Sequence, residues 1–311
     1  MFHLRHHVLK ITAVLGIVFH FAFAQNVQAA QKPLRVVATQ RIFAGLVEEI
    51  GGDKVEVKSI AQPKFNIHFI QPKPSDVRAV ASADLYVNAG LDLEAWSDPL
   101  LEAAGKRELF RNGSRNIDLS KGITLLDIPV GNLTRAEGDI HIFGNPHFQM
   151  NPENARVMVE TILSKFKEVD PDNAYYYEEN ARQFLKHLDE KIMEWKSLCA
   201  HCRNKEIISF HKDIVYFAQF LGLKSEQFLE PKPGIPPTAK HLQFLERYSK
   251  EHAVKAIVLP TYYSRSTAEA LAKRIGVNVV TLCQNAGEVP GTDNFFSFFD
   301  YNIKHISEAL K

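Results

Sequence analysis

The chain has 311 residues, 45% hydrophobic and 23% charged, and a formal net charge of +1. This is the make-up of an ordinary globular protein with enough chain for two domains, and it excludes the basic excess that nucleic acid or an anionic membrane requires. Three cysteines are too few to hold such a fold together through disulfides.

The first stretch reads as a secretory signal. Arg5 and Lys10 are its positive flank. Ile11 to Ala24 is apolar but shorter than the roughly 20 residues of a membrane span. Ala22-Phe23-Ala24 and Val27-Gln28-Ala29 are small-residue cleavage signals. A signal peptide over 1–29 is therefore expected, and losing Arg5 and Lys10 takes the formal charge from +1 to −1. No cysteine lies near the cut, so the expectation is a soluble, exported chain without a lipid anchor.

Beyond it the pattern alternates. Leu34–Ala38 is a short apolar strand; Ile42–Val47 has helical spacing and stops at Gly51-Gly52; Val55–Ile60 is a second strand. After a loop containing His68, Pro74-Ser75-Asp76 opens a helix towards Ser82. Asp84–Asn88 is a strand, and Leu91 to Trp96 reads as the start of another helix. Residues 111 to 140 are loop-rich, with one or two short strands. The turn Gly144-Asn145-Pro146 then presents His147, and Asn151-Pro152-Glu153 caps a helix through Val157 and Ile162.

Asp170-Pro171-Asp172 opens the longest helix, with a stripe at Tyr177, Ala181, Phe184, Leu188, Ile192 and Trp195. Such a helix can be a spine between two lobes, restricting their hinge, or a packing helix in one domain. The alternation then restarts: strand Glu206–Phe210 ending at His211, helix Asp213–Phe220, a proline-rich loop to Thr238, which caps a helix through Leu245, strand Ala256–Leu259, helix Ser264–Ile275, strand Val277–Leu282 and a final helix Phe295–Leu310. The fold class predicted is α/β, two doubly wound lobes with parallel sheets joined by a long spine helix and a ligand site in the interlobe cleft. The first lobe covers 30–169, the linking helix 170–199 and the second lobe 200–311. No residue-level repeat relates the lobes.

His68, His147 and His211 each sit where a strand meets a loop. Three neutral imidazoles converging in the cleft would suit a borderline transition metal, zinc above all; the other reading is three unrelated histidines. Cys199-Ala200-His201-Cys202 can close a small local disulfide, form a redox pair or bind a metal. No thioredoxin-like strand precedes it, which favours the disulfide.

Taken together, His68 with Pro74-Ser75-Asp76, Ala83–Gly90 with Glu94 and Trp96, Asn145-Pro146-His147 with Asn151-Pro152-Glu153, Asp170-Pro171, and Ser209-Phe210-His211 with Tyr216 resemble the cluster A-I solute-binding proteins. These deliver zinc or manganese to ABC importers. The resemblance implies a periplasmic metal binder whose first, second and third ligands map onto His68, His147 and His211, with an ABC permease in the inner membrane as partner and a monomeric state. A histidine in the third position favours zinc over manganese or iron(II). The family's aspartate after the last strand is replaced by Cys283, and its carboxylate near the preceding strand end by Thr261. The fourth ligand is left between His141, Cys283 and water, with Glu288 weaker. Residues 100 to 140 contain no histidine, so the histidine-rich loop of zinc-specific relatives is missing. An adhesin or metallochaperone would share this fold. A zinc hydrolase is the enzyme alternative, but no His-Glu-x-x-His or Gly-x-Ser-x-Gly is present, so no enzyme is expected.

Overall fold

Alternating β-rich and helical segments with short turns can only bury their apolar faces by layering helices on parallel sheets. The computed structural model describes residues 32–129, 141–231 and 235–311. The expected signal peptide at 1–29 lies outside these residues, as does part of the loop-rich stretch before His141.

The first sheet is β1 (Leu34–Ala38), β2 (Val55–Ser59), β3 (Leu85–Asn88) and β4 (Asn116–Asp118), in the order β2-β1-β3-β4 and all parallel. The second is β5 (Glu206–Ser209), β6 (Lys224–Phe228), β7 (Ala256–Pro260) and β8 (Asn278–Leu282), ordered β6-β5-β7-β8, again parallel. The two orders are the same permutation, so the lobes repeat in topology where their residues do not repeat.

Helices α1 (Arg41–Gly51), α2 (Pro74–Ser82), α3 (Ser97–Ala104) and α4 (Ala155–Val169) precede the spine helix. The spine helix α5 (Ala174–Leu198) has 25 residues, about 37 Å at 1.5 Å per residue. Its buried residues are Tyr177, Ala181, Phe184, Leu188, Ile192 and Trp195, the stripe read from the sequence. Then come α6 (Val215–Leu221), α7 (Ala239–Glu251), α8 (Ser266–Ile275) and α9 (Phe295–Ala309). Thr238 caps α7 by accepting from His241 N–H.

Two elements differ from the sequence reading. Leu91 to Trp96 is a turn, not a helix start: Leu91 and Asp92 have φ of 54° and 58°, which breaks a helix. The turn lets Glu94 accept hydrogen bonds from the Thr39 hydroxyl (2.6 Å) and the Ala89 N–H (3.1 Å), joining two loops. Strand β6 went unread because Lys-Ser-Glu-Gln-Phe has no apolar run; as an edge strand it needs only one neighbour and keeps much of its surface in water.

One apolar core runs through both sheets and α5, joining Val36, Phe43 and Val87 to Trp195, Ile207, Val280 and Phe299. A second core fills the outer side of the second sheet, around Ile208, Leu245, Ile257 and Leu271. The three cysteines are buried free thiols.

Candidate metal centre

Each histidine is held by a tight local turn. Asn66 accepts from His68 N–H through its side chain (3.0 Å), fixing a 3-10 turn over Ile67–Phe69. Trp96 Nε1 donates to Ile67 O (2.7 Å), clamping that turn from the side. Asn145 does the same for the second loop, its Oδ1 accepting from His147 N–H (3.0 Å). Its Nδ2 donates to Lys212 O (2.7 Å), next to His211. Tyr216 OH donates to Asn145 O and accepts from Leu126 N–H, both at 3.0 Å. The loops bearing His147 and His211 are thus bonded to one another.

Four imidazoles converge. Ring centroids are 5.2 Å apart for His68–His147, 5.6 Å for His147–His211, 6.2 Å for His68–His211, and 5.1 Å for His68–His141. The ligand nitrogens of His68, His141 and His147 lie within 4.8 Å of one another. His68 Nε2 and His147 Nε2 are 3.3 Å apart. Two nitrogens each about 2.05 Å from a tetrahedral zinc would be roughly 3.3 Å from each other, so this pair has the spacing of one edge of such a site. His211 stands outside the 4.8 Å triad but in ring contact with His68 and His147.

Electrostatics suit a cation. His147 is 3% and His211 6% exposed. Burial first, and then the neighbouring imidazoles, hold His147 well below the usual histidine range. The same causes push His211 down to about 3. Both rings are therefore neutral at neutral pH, the form that offers a lone pair to a metal. His211 Nδ1 is buried with no hydrogen-bond partner among the described residues; such an atom costs on the order of 1–3 kcal/mol unless a ligand or water meets it.

Of the fourth-ligand candidates, the structure brings in His141 and leaves Cys283 out. The Cys283 backbone is bonded both ways to Asn302 on α9, N–H to Oδ1 (2.8 Å) and O to Nδ2 (2.9 Å). Its thiol is buried and pushed up, chiefly by burial, so it stays protonated. Glu288 is occupied elsewhere: Oε1 accepts from Gln284 and Asn285 N–H (2.9 and 2.7 Å), and Oε2 accepts from the Thr261 hydroxyl. This shapes the loop after β8, whose Asn285 Oδ1 accepts from Ile42 N–H at the start of α1 (2.9 Å).

Sequence reasoning missed two buried polar groups nearby. Asp213, two residues after His211, has its carboxyl raised to about 8 by burial. Gln284 has both amide atoms buried without a partner among the described residues. Neither leaves a local signature, since both sit in turns where polar residues are ordinary.

Residues 36–309 match the family model of ZnuA, zinc-uptake complex component A, periplasmic. The chain belongs to this family. Among its relatives, the high-affinity zinc uptake system protein ZnuA of Bacillus subtilis (strain 168) is 28% identical over 80% of this chain and 77% of its own. The iron-binding protein YfeA of Yersinia pestis is 27% identical over 97% and 95%. A manganese ABC transporter substrate-binding lipoprotein of Streptococcus anginosus is 24% identical over 96% of each chain. A zinc-bound deletion mutant of ZnuA superposes with a TM-score of 0.73 at 26% identity, covering 89% of this chain and 98% of that one. The family is a component of zinc uptake, the Bacillus relative belongs to a zinc uptake system, the Streptococcus relative is a substrate-binding component of a manganese ABC transporter, and YfeA binds iron; these are binding proteins, not enzymes. The two parallel sheets with flanking helices are the ZnuA architecture.

Proposed function

We propose that this chain binds one zinc ion through His68, His147 and His211, with His141 as fourth ligand, and hands it to an ABC permease. The single observation that carries the reading is the convergence of four imidazoles from loops of both lobes, with a 3.3 Å nitrogen–nitrogen spacing. An all-nitrogen donor set suits zinc, whereas manganese favours carboxylate and carbonyl oxygen. Glu288, the carboxylate among the weaker ligand candidates, is tied up by two backbone N–H groups. The zinc cargo of the B. subtilis relative and of the solved ZnuA supports the same choice. We further infer that the processed protein is a soluble periplasmic monomer.

The mechanism needs no catalysis, only ligand exchange at the ion. Neutral imidazoles replace the water shell of the ion, and release follows when the permease separates the loops that carry them. Metal-stripped protein offered equal zinc, manganese and iron(II), then examined by native mass spectrometry and elemental analysis, should retain one zinc. His147→Ala should abolish retention. His141→Ala should weaken it at least tenfold, with water taking the vacated position. Retention of manganese in preference to zinc, or metal binding indifferent to His147, would sink the reading.

A further inference from the structure

Outside the histidine cluster, the most reactive arrangement is at the foot of the spine helix. Cys199 follows the last residue of α5, and Cys202 closes the 3-10 turn Ala200–Cys202 that leads to β5. Cys202 N–H donates to Cys199 O (2.9 Å), folding the turn so that the two thiols hydrogen-bond one another.

Their surroundings differ. His201 Nε2 lies 2.9 Å from Ser307 O and 3.6 Å from Cys202 Sγ. A carbonyl oxygen only accepts, so Nε2 must carry hydrogen, and that N–H also faces the Cys202 sulfur. The Cys199 thiol's hydrogen bond, opposed by burial and helped by His201 and Lys205, brings the Cys202 thiol down. Cys199 is pushed up; its Sγ contacts Ile303 O on α9 at 3.7 Å. Cys199 also forms part of the wall of a surface cleft of about 430 Å³, beside Lys196, Arg203 and Phe220. Cys202 lies behind it, fully buried. Cys199 is thus the cysteine at the cleft wall, 2% exposed, with Arg203 and the Lys196–Glu153 ion pair (2.6 Å) around the approach, and Cys202 is held as the better thiolate.

We propose that Cys199 and Cys202 form a thiol–disulfide exchange site that is oxidised by a disulfide-bearing compound entering this cleft. Cys199 passes its proton to the Cys202 sulfur along their shared hydrogen bond and attacks one sulfur of the incoming disulfide. The other half leaves as a thiolate and takes that proton from Cys202. The Cys202 thiolate then attacks the Cys199 sulfur and expels the second half, which is protonated from solvent. Two thiols become one disulfide, and the oxidant gains two electrons and two protons as two thiols. The product staples the end of α5 to the turn before β5. This inference does not rest on the metal reading.

The test uses reduced protein equilibrated with mixtures of reduced and oxidised glutathione, quenched in acid, alkylated and analysed by peptide mass spectrometry. The expected result is concerted loss of two of the three thiols, with the peptide spanning 199–202 lighter by two hydrogens and Cys283 still alkylated. Cys199→Ser should prevent the intrachain bond while zinc stoichiometry is unchanged. Persistence of both thiols across all mixtures, a glutathione adduct that stops at one cysteine, or a bond between two chains would overturn the proposal.

Discussion

Asn145 lies outside the imidazole cluster, yet it positions two of the proposed ligands. It accepts from His147 N–H and donates to Lys212 O, so its side chain spans the turns that aim His147 and His211. Replacing such an outer partner typically costs 10–100-fold in metal affinity. Asn145→Ala is therefore expected to weaken zinc binding about tenfold in a competition titration against a chelator, while Asn145→Asp, which keeps the acceptor but loses the donor, should fall between. Glu94 makes a second prediction, this one about pH. Burial raises its carboxyl from 4.5 to about 7, although Thr39 and Ala89 donate to it. Between those values the folded protein holds a proton that the unfolded chain has lost. Stability therefore falls as pH rises through that window and levels off above about 7, a contribution on the order of 3 kcal/mol at 1.36 kcal/mol per unit. Urea denaturation at pH 5 and pH 7.5 should show a shallower pH dependence for Glu94→Gln than for the parent; equal slopes would show that this carboxyl does not titrate there.

The spine helix shows what an element contributes beyond its residues. Its buried stripe is anchored at both ends: Asn180 Nδ2 donates to Ile50 O at the foot of α1 (3.0 Å), and Trp195 Nε1 donates to Asp300 on α9 (2.7 Å). Lys191 pairs with the same Asp300 (2.6 Å). Leu188 is fully buried in the middle of the stripe. Truncating a buried leucine costs about 2–5 kcal/mol, the transfer loss plus the cavity left behind. Leu188→Ala should lower the thermal midpoint by roughly 4–20 °C, at about 2–4 °C per kcal/mol for a chain of this size, with zinc stoichiometry intact. Metal loss at unchanged stability would contradict a purely packing role.

Across the whole molecule, the shared core and the spine leave little freedom to hinge. A single apolar cluster links the two sheets. Cross-lobe hydrogen bonds add to it, from Ile42 N–H to Asn285 and from Asn66 Nδ2 to Tyr263 OH (3.0 Å). A wide swing would expose that core to water at about 25 cal/mol per Å² of apolar surface. Small-angle scattering of metal-free and zinc-loaded protein is therefore expected to give nearly the same radius of gyration. A large compaction on loading would show that the lobes separate despite the shared core.

Local chemistry determined much of this molecule. Period and turn residues were enough for nearly every helix, for the α/β class and for the stripe of α5, because these features depend on neighbours three or four positions apart. The position of His211 just beyond β5 was equally legible, since ligands in parallel α/β sheets gather at that edge, whereas among the described residues His147 follows a long loop after β4 rather than a strand end. Tertiary structure decided the rest. An edge strand as polar as β6 shows itself only once β5 offers it a ladder. The turn at Leu91 depends on Glu94 meeting Thr39, which lies 55 residues away. The choice of His141 over Cys283 beside the other histidines, and the opposite environments of Cys199 and Cys202, depend on how loops and α9 pack in space. Distances between residues far apart in the chain are set by packing, and no local pattern encodes them.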